Sequence, residues 1–224
     1  MAARFRAADI AMFNRATAWI LVIALAAALG LWAGHRLLGA RVPSQPQLQS
    51  VKPFDHAREL PAFSLRQSDG TPLVPGELKG HWTIVFLGFT HCPDVCPTTL
   101  AQLAQAQKQW RALPEATRPR VLFVSVDPER DTPDAIGEYA HGFDRDTLAA
   151  TGDIPALEEF ARSLSLVFMK VPAPPEAPAD QYSVDHSAAL AVLDPQARMA
   201  GVIQPPLDPR AIAHDLLVLT QDRR

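Results

Sequence analysis

Trp82 to Leu100 reads WTIVFLGFTHCPDVCPTTL and contains both cysteines of the chain, Cys92 and Cys96. The β-rich apolar run Thr83, Ile84, Val85, Phe86, Leu87 and Phe89 predicts a buried strand. Pro97 with Thr98, Thr99 and the periodic Leu100 and Leu103 predicts a helix start. Both thiols therefore fall at a strand-to-helix turn, where unpaired N–H groups and the positive end of the helix dipole favour thiolate over thiol. Three residues separate them, which sets the sulfurs about one helical turn apart, near enough to share a metal ion or close a strained disulfide. The Cys-x-x-Cys spacing of the usual oxidoreductases is absent. A structural bridge gains stability by closing a long loop, and this one would close almost none. A reactive or metal-binding pair is a better reading than a structural disulfide or two small buried hydrophobes.

Downstream, Thr99 to Leu113 reads as a helix ended before Pro114, and Arg120 to Val126 (RVLFVSV) as a second buried strand. Thr132 is placed to cap a helix over 133–142 that begins with Pro133. Thr147 to Gly152 carries no signal that assigns it, and a further helix spans about Pro155 to Leu164. Leu166 to Val171 reads as a strand entering the Pro-rich loop VPAPPEAPA. Strands Ala188–Leu193 and Met199–Ile203 form a hairpin around Asp194–Ala197, and Pro209 to Thr220 closes the chain as an amphipathic helix. Upstream, a short strand over Pro61–Leu65 meets a turn at Gln67–Gly70 and suggests an N-terminal hairpin. The order β, α, β, α, β-hairpin, α, with a dithiol at the first strand-to-helix turn, is that of a thioredoxin-like α/β sandwich.

No residue from Ala16 to Gly34 is charged, and ATAWILVIALAAALGLWAG is long enough to cross a bilayer, with Trp19 and Trp32 near its ends. A cleaved signal peptide is the rival, given Arg4, Arg6 and Arg15, but the apolar run exceeds a typical signal core. The expected division is a cytoplasmic tail 1–15, a transmembrane helix 16–38, a linker 39–53 rich in Pro, Gln and Ser, and a soluble domain 54–224. A short N-terminal tail before the first span favours N-terminus inside. In a bacterium this makes a single-pass protein of the inner membrane with its domain in the periplasm. Hydrophobic residues make up 48% of the 224, enough for a sizeable core, and a net charge of −3 without a basic patch argues against nucleic-acid binding.

His186 lies just before the hairpin strand, and in a thioredoxin-like layout that loop runs beside the cysteine turn. Two thiolates and one imidazole suit a soft or borderline ion; a three-ligand set in an oxidising compartment favours copper over zinc, which normally takes a fourth ligand. Asp94 and Asp185 are either groups that tune and orient these ligands or plain turn residues. His91 follows a strand end and is expected to point away from Cys92. His35, His56, His81, His141 and His214 are read as solvent-exposed, and Met169 and Met199 as core. Asp127, Glu129 and Arg130 are either a solvated loop or part of a docking rim.

Three motifs, Gly88-Phe89-Thr90-His91-Cys92-Pro93-Asp94-Val95-Cys96-Pro97, Ser125 to Pro133 (SVDPERDTP) and Tyr182 to Ser187 (YSVDHS), make the domain resemble the Sco/SenC family of copper-handling proteins with a thioredoxin fold. The resemblance implies that Cys92, Cys96 and His186 bind copper, as Cu(I) and as Cu(II), in a membrane-anchored chaperone for the dinuclear copper centre of cytochrome c oxidase. It implies as partners the copper-accepting oxidase subunit and other copper chaperones or thioredoxin-like reductants. Family members are assigned either copper delivery or reduction of the cysteines that receive copper. The second role is that of a thiol-disulfide oxidoreductase in which Cys92 attacks and Cys96 resolves. Both roles use the same dithiol, and a peroxidase of related fold is a third, weaker alternative.

Overall fold

The structure, a computed structural model, describes residues 15–39, 47–178 and 180–221. Residues 1–14 of the expected tail, residues 40–46 of the expected linker, and Ala179 of the Pro-rich loop lie outside the described residues. Two compact units divide the chain, one holding the N-terminal helix and the other running from residue 46, within the expected linker, onward.

The first unit contains α1 (Arg15–Gly39). Its segment Thr17–Arg36 is long and apolar enough to span a bilayer, and none of it is buried. An apolar helix with no protein surface to cover it is a candidate membrane anchor.

The second unit is built on an eight-stranded sheet. Its elements in chain order are β1 (Val51–Arg58), β2 (Leu65–Gln67), β3 (Pro72–Leu73), β4 (Thr83–Gly88), α2 (Val95–Trp110), β5 (Arg120–Ser125), α3 (Pro133–Phe143), β6 (Leu148–Thr151) and α4 (Ile154–Ser163). There follow β7 (Phe168–Val171), β8 (Ser183–His186), β9 (Leu190–Leu193), β10 (Met199–Ile203) and α5 (Pro209–Gln221). The sheet order is β1-β10-β9-β4-β5-β6-β2-β3, while β7 and β8 form a separate two-stranded sheet. Strands β4, β5 and β6 run parallel, and β9 joins β4 antiparallel through Thr83↔Leu193 to Val85↔Ala191. Every residue of β4 and β9 is buried. That burial on both faces explains why these strands read as continuous apolar runs rather than alternating ones. The arrangement is the expected thioredoxin-like α/β fold.

The structure departs from the sequence reading at several places. Strand β1 begins at Val51, inside the stretch read as linker, and pairs with β10 through Val51↔Ile203. Buried Asp215 on α5 secures this entry by accepting the backbone N–H groups of Gln49, Ser50 and Val51 at 2.7–2.9 Å. The early hairpin is shifted toward the C-terminus and formed by β2 and β3. The unassigned stretch holds β6, whose sequence LAAT has a single β-branched residue, Thr151, and no aromatic, too little to mark a strand. His81 is buried with its Nδ1 2.9 Å from the Arg118 carbonyl, because it sits where the chain enters the core strand. Met169 lies on the outer face of the β7–β8 hairpin and is 61% exposed, whereas Met199 is core.

Candidate metal centre

Strand β4 delivers the cysteine loop at the edge of the core. Past Gly88 the chain turns, with the Cys92 N–H reaching the Phe89 carbonyl at 3.3 Å, and α2 starts at Val95. Asp94 occupies the N-cap position but makes no side-chain capping bond. The cap acceptor is instead the Cys92 sulfur, which takes the Cys96 N–H at 3.4 Å. Cys96 is the second residue of the helix, and Pro97 follows in the first turn, where its missing N–H breaks no helical bond.

Cys92 and Cys96 are both free thiols in unlike surroundings. Partial burial pushes the Cys92 thiol up, but the N–H groups of Asp94, Cys96 and Val95 at the helix start outweigh it, so Cys92 lies below the ordinary thiol value. Cys96 is fully buried. Burial pushes its thiol far up, and the neighbouring Cys92 and Asp131 add to the shift. The pair is therefore one accessible, readily ionised sulfur backed by one reluctant sulfur. The Cys96 sulfur also packs on Gly88, where an added Cβ would fall 3.0 Å from it and 2.9 Å from the Phe123 ring. Only glycine admits that approach.

His186 lies just before the hairpin strand β9, as expected, and ends β8, a short strand where the sequence suggested a loop. Its Nε2 lies 3.4 Å from the Cys96 Sγ, and its Nδ1 lies 3.2 Å from the Ser187 carbonyl. A carbonyl can only accept, so Nδ1 carries the proton and Nε2 offers its lone pair toward the cysteines. Burial lowers the His186 pKa, opposed more weakly by the Ser187 carbonyl and the Asp185 charge, and keeps the ring neutral. Phe86 and Phe89 meet the ring edge-on, at centroid distances of 5.8 and 6.2 Å.

The three predicted donors thus gather at one end of the sheet. Among the described residues, the set of three metal-capable side chains within 4.8 Å of one another is His91, Asp127 and Asp131. Cys92, Cys96 and His186 do not all lie within that distance of one another, so sharing one ion requires a side-chain movement. The His91 set is a hydrogen-bonded brace rather than an open site, because both carboxylates are already occupied. Asp131 accepts from Thr90 N at 2.9 Å, Thr90 Oγ1 at 2.5 Å and Ser125 Oγ at 2.5 Å. Asp127 accepts from the Tyr182 hydroxyl and from Arg130 Nε, each at 2.6 Å. His91 is exposed, with its Nδ1 3.0 Å from Thr90 Oγ1 and 3.6 Å from Asp131 Oδ1.

Asp127 and Arg130 therefore do not form a docking rim: Asp127 is buried, and Arg130 is enclosed against Tyr182. Glu129 is exposed and pairs with Lys170. Asp94 and Asp185 are exposed turn and strand-edge residues; Asp185 acts on His186 only through its charge. Sequence reasoning missed Tyr139 on α3. Its ring packs on Phe123 at 5.7 Å, and its hydroxyl is buried without a hydrogen-bond partner among the described residues. Burial, and then the charges of Cys96 and Cys92, push its ionisation far up.

The model for the family SCO1/SenC matches residues 52–221. The chain belongs to this family. A Stutzerimonas stutzeri protein provisionally named as copper-binding is 37% identical over 152 residues, covering 67% of this chain and 71% of that protein. The bovine mitochondrial SCO2 homolog is 36% identical over 133 residues, covering 59% of this chain; the chain spans only 49% of that relative's length. Among solved structures, Arabidopsis thaliana ScoI with copper bound is 30% identical, with a TM-score of 0.65, covering 72% of this chain and 98% of its own. Bradyrhizobium japonicum ScoI with copper bound is 31% identical, with a TM-score of 0.62, covering 71% and 98%. The SCO1/SenC match takes in all three motifs, and it begins within β1.

Proposed function

We propose that this SCO1/SenC protein is a membrane-anchored copper chaperone in which Cys92, Cys96 and His186 bind copper as Cu(I) and as Cu(II). Its copper serves assembly of the dinuclear centre of cytochrome c oxidase. The observation that carries this reading is the 3.4 Å approach of His186 Nε2 to Cys96 Sγ across 90 residues of sequence. Two sulfurs and one neutral imidazole are soft and borderline donors, and they fit copper in either oxidation state better than a hard cation. The copper-bound Arabidopsis and Bradyrhizobium relatives support the choice of metal.

Three protein donors leave one side of the ion open, where a thiol or thioether of the copper-accepting oxidase subunit can enter before the chaperone's ligands leave. Cys92, with its lowered pKa, is the sulfur that exchanges first, while buried Cys96 and the half-buried His186 beside it hold until the acceptor's donors replace them. The apolar α1 supports a single-pass anchor in the inner membrane, with the domain 54–224, extended by β1, on the periplasmic side. Upstream copper chaperones and thioredoxin-like reductants are the partners that would load the site and keep its thiols reduced.

The test is titration of the reduced full-length protein in detergent with Cu(I) and Cu(II) against a competing chelator, beside His186→Ala. One equivalent bound, with the thiolate-to-Cu(II) charge-transfer band and most of the Cu(II) affinity lost in the variant, is expected. No copper retained by the wild type would sink the reading.

The unlike thiols favour one second role, reduction of a disulfide in the copper acceptor. The Cys92 thiolate attacks one sulfur of that disulfide, forming a mixed disulfide and releasing the acceptor's other sulfur as a thiolate. Cys96 then loses its proton, for which His186 Nε2 is the adjacent acceptor, and attacks the Cys92 sulfur. The acceptor leaves as a dithiol, and the chain keeps a Cys92–Cys96 disulfide. Fast disulfide exchange by a protein that retains no copper would make this the principal function.

A further inference from the structure

Among the described residues, the segment Ser125 to Asp131 makes no hydrogen bond to the thiols or to His186, yet it grips both elements that carry them. On one side, Asp131 takes the Thr90 N–H and hydroxyl at 2.9 and 2.5 Å, two residues before Cys92, and ties that loop to Ser125 at the end of β5. On the other side, Arg130 donates to the Tyr182 carbonyl at 3.0 Å and the Asp180 carbonyl at 3.3 Å, at the entrance to β8. Asp127 fixes that arginine by its Nε and accepts the Tyr182 hydroxyl, each at 2.6 Å. The guanidinium lies 3.7 Å from the centroid of the Tyr182 ring, which covers the Nη2 that has no hydrogen-bond acceptor among the described residues.

This grip matters because β8 has no place in the main sheet. Among the described residues it pairs only with β7, and a two-stranded hairpin on its own is marginally stable in water. Something outside the ladder must set the depth of His186. We propose that Asp127 and Arg130, through Tyr182, and Asp131, through Thr90, are positioning residues that hold the histidine strand and the cysteine loop at metal-binding separation before copper arrives. This rests on the reading of Cys92, Cys96 and His186 as the copper site. The two arms act on different ligands: the Asp127–Arg130–Tyr182 arm on His186, the Asp131–Thr90 arm on the cysteines.

The experiment uses full-length protein in detergent carrying Tyr182→Phe, Arg130→Lys or Thr90→Val, each alone and combined with His186→Ala. Copper(II) affinity by chelator competition, the charge-transfer band, and amide hydrogen exchange of the metal-free protein are read for each. Disturbing groups that orient metal ligands typically lowers affinity roughly 10–100-fold. A loss in that range is expected for Tyr182→Phe and Arg130→Lys, and it should vanish in the His186→Ala background. Exchange at 182–186 should rise while β4 and β5 stay protected. Thr90→Val should weaken Cu(I) and Cu(II) binding alike and do so with or without His186. Tyr182→Phe removes a single oxygen and keeps the ring, so it reports even if Arg130→Lys does not fold.

The proposal is overturned if Tyr182→Phe leaves affinity, band and exchange unchanged in a copper-binding wild type, or if its effect is the same size without His186. A wild type that binds no copper would instead defeat the copper reading, and the exchange measurement would still decide whether Arg130 and Asp127 hold β8.

Discussion

The Nε2 atom of His186 lies 3.4 Å from the Sγ atom of Cys96, with the other imidazole nitrogen turned to the Ser187 carbonyl. Cys96 is driven toward the neutral thiol and His186 toward the neutral imidazole, both by burial. In the metal-free protein the thiol is the donor of this contact and Nε2 the acceptor. A metal that displaces the thiol proton finds the nitrogen lone pair already aimed at it.

The asymmetry of the thiols gives a reactivity order. Near neutral pH, iodoacetamide should label Cys92 at least roughly tenfold faster than Cys96, since the thiolate is the nucleophile and only Cys92 is favoured in that form. Peptide mass spectrometry of partly alkylated protein gives both rates. Equal labelling would contradict the burial and helix-start argument.

The depressed His186 pKa predicts how stability responds to acid. The unfolded chain takes up a proton as pH falls through the ordinary value of 6.5, while the folded protein does so only lower. The unfolded state then binds more protons, so stability falls with pH below that value. Urea unfolding of metal-free protein across this range should show the slope, and it should be shallower in His186→Gln. Parallel slopes in the two proteins would mean that His186 is not protected from protonation.

Gly88→Ala is expected to destabilise the protein by about 1–3 kcal/mol, the usual range for overpacking a filled core. The added methyl meets the Phe123 ring and the Cys96 sulfur at 2.9 and 3.0 Å, so weaker copper binding should accompany the loss. A variant unchanged in both denaturation midpoint and copper affinity would show that Cys96 does not need this approach.

Asp215 gathers three backbone N–H groups at the start of the domain. Asp215→Ala leaves those donors without their acceptor and should lower stability by about 3 kcal/mol. Asp215→Asn keeps one acceptor oxygen and should lose less. The order of the two midpoints in urea is the measurement.

Tyr139→Phe should leave the metal-free protein as stable as before, or more stable by about 1 kcal/mol, because the hydroxyl it removes is buried without a partner. A clear loss of stability would reveal a hydrogen bond to that oxygen.

Much of the framework was legible from residue order, because it is encoded locally. The continuous apolar runs of β4 and β5, the hairpin of β9 and β10, the Thr132 cap with Pro133, the dithiol turn and the uncharged helix near the N-terminus each declare themselves within a dozen residues or so. Elements whose identity depends on neighbours did not. Strand β6 is the short run LAAT, with two alanines at its centre, and it becomes a strand by docking beside β5. Strand β8 is short and polar outside Val184, and it exists through its pairing with β7. The first residues of β1 read as tether until β10 and Asp215 supply their partners.

The site divides in the same way. Cys92, Cys96 and His186 could be singled out from residue chemistry and a thioredoxin-like order, and the fold sets His186 Nε2 3.4 Å from Cys96 Sγ. The unequal burial of the two thiols, the unpartnered Tyr139 hydroxyl and the internal use of Asp127 and Arg130 could not. A charged loop looks solvated when only its own residues are in view. The partner that turns Asp127 inward is Tyr182, 55 residues away, and a contact across that separation exists only once the chain has folded. Sequence alone determined which donor atoms are available, because residue type sets their chemistry. Tertiary structure decided their protonation, depth and alignment, because desolvation and hydrogen bonding depend on what the fold packs around them.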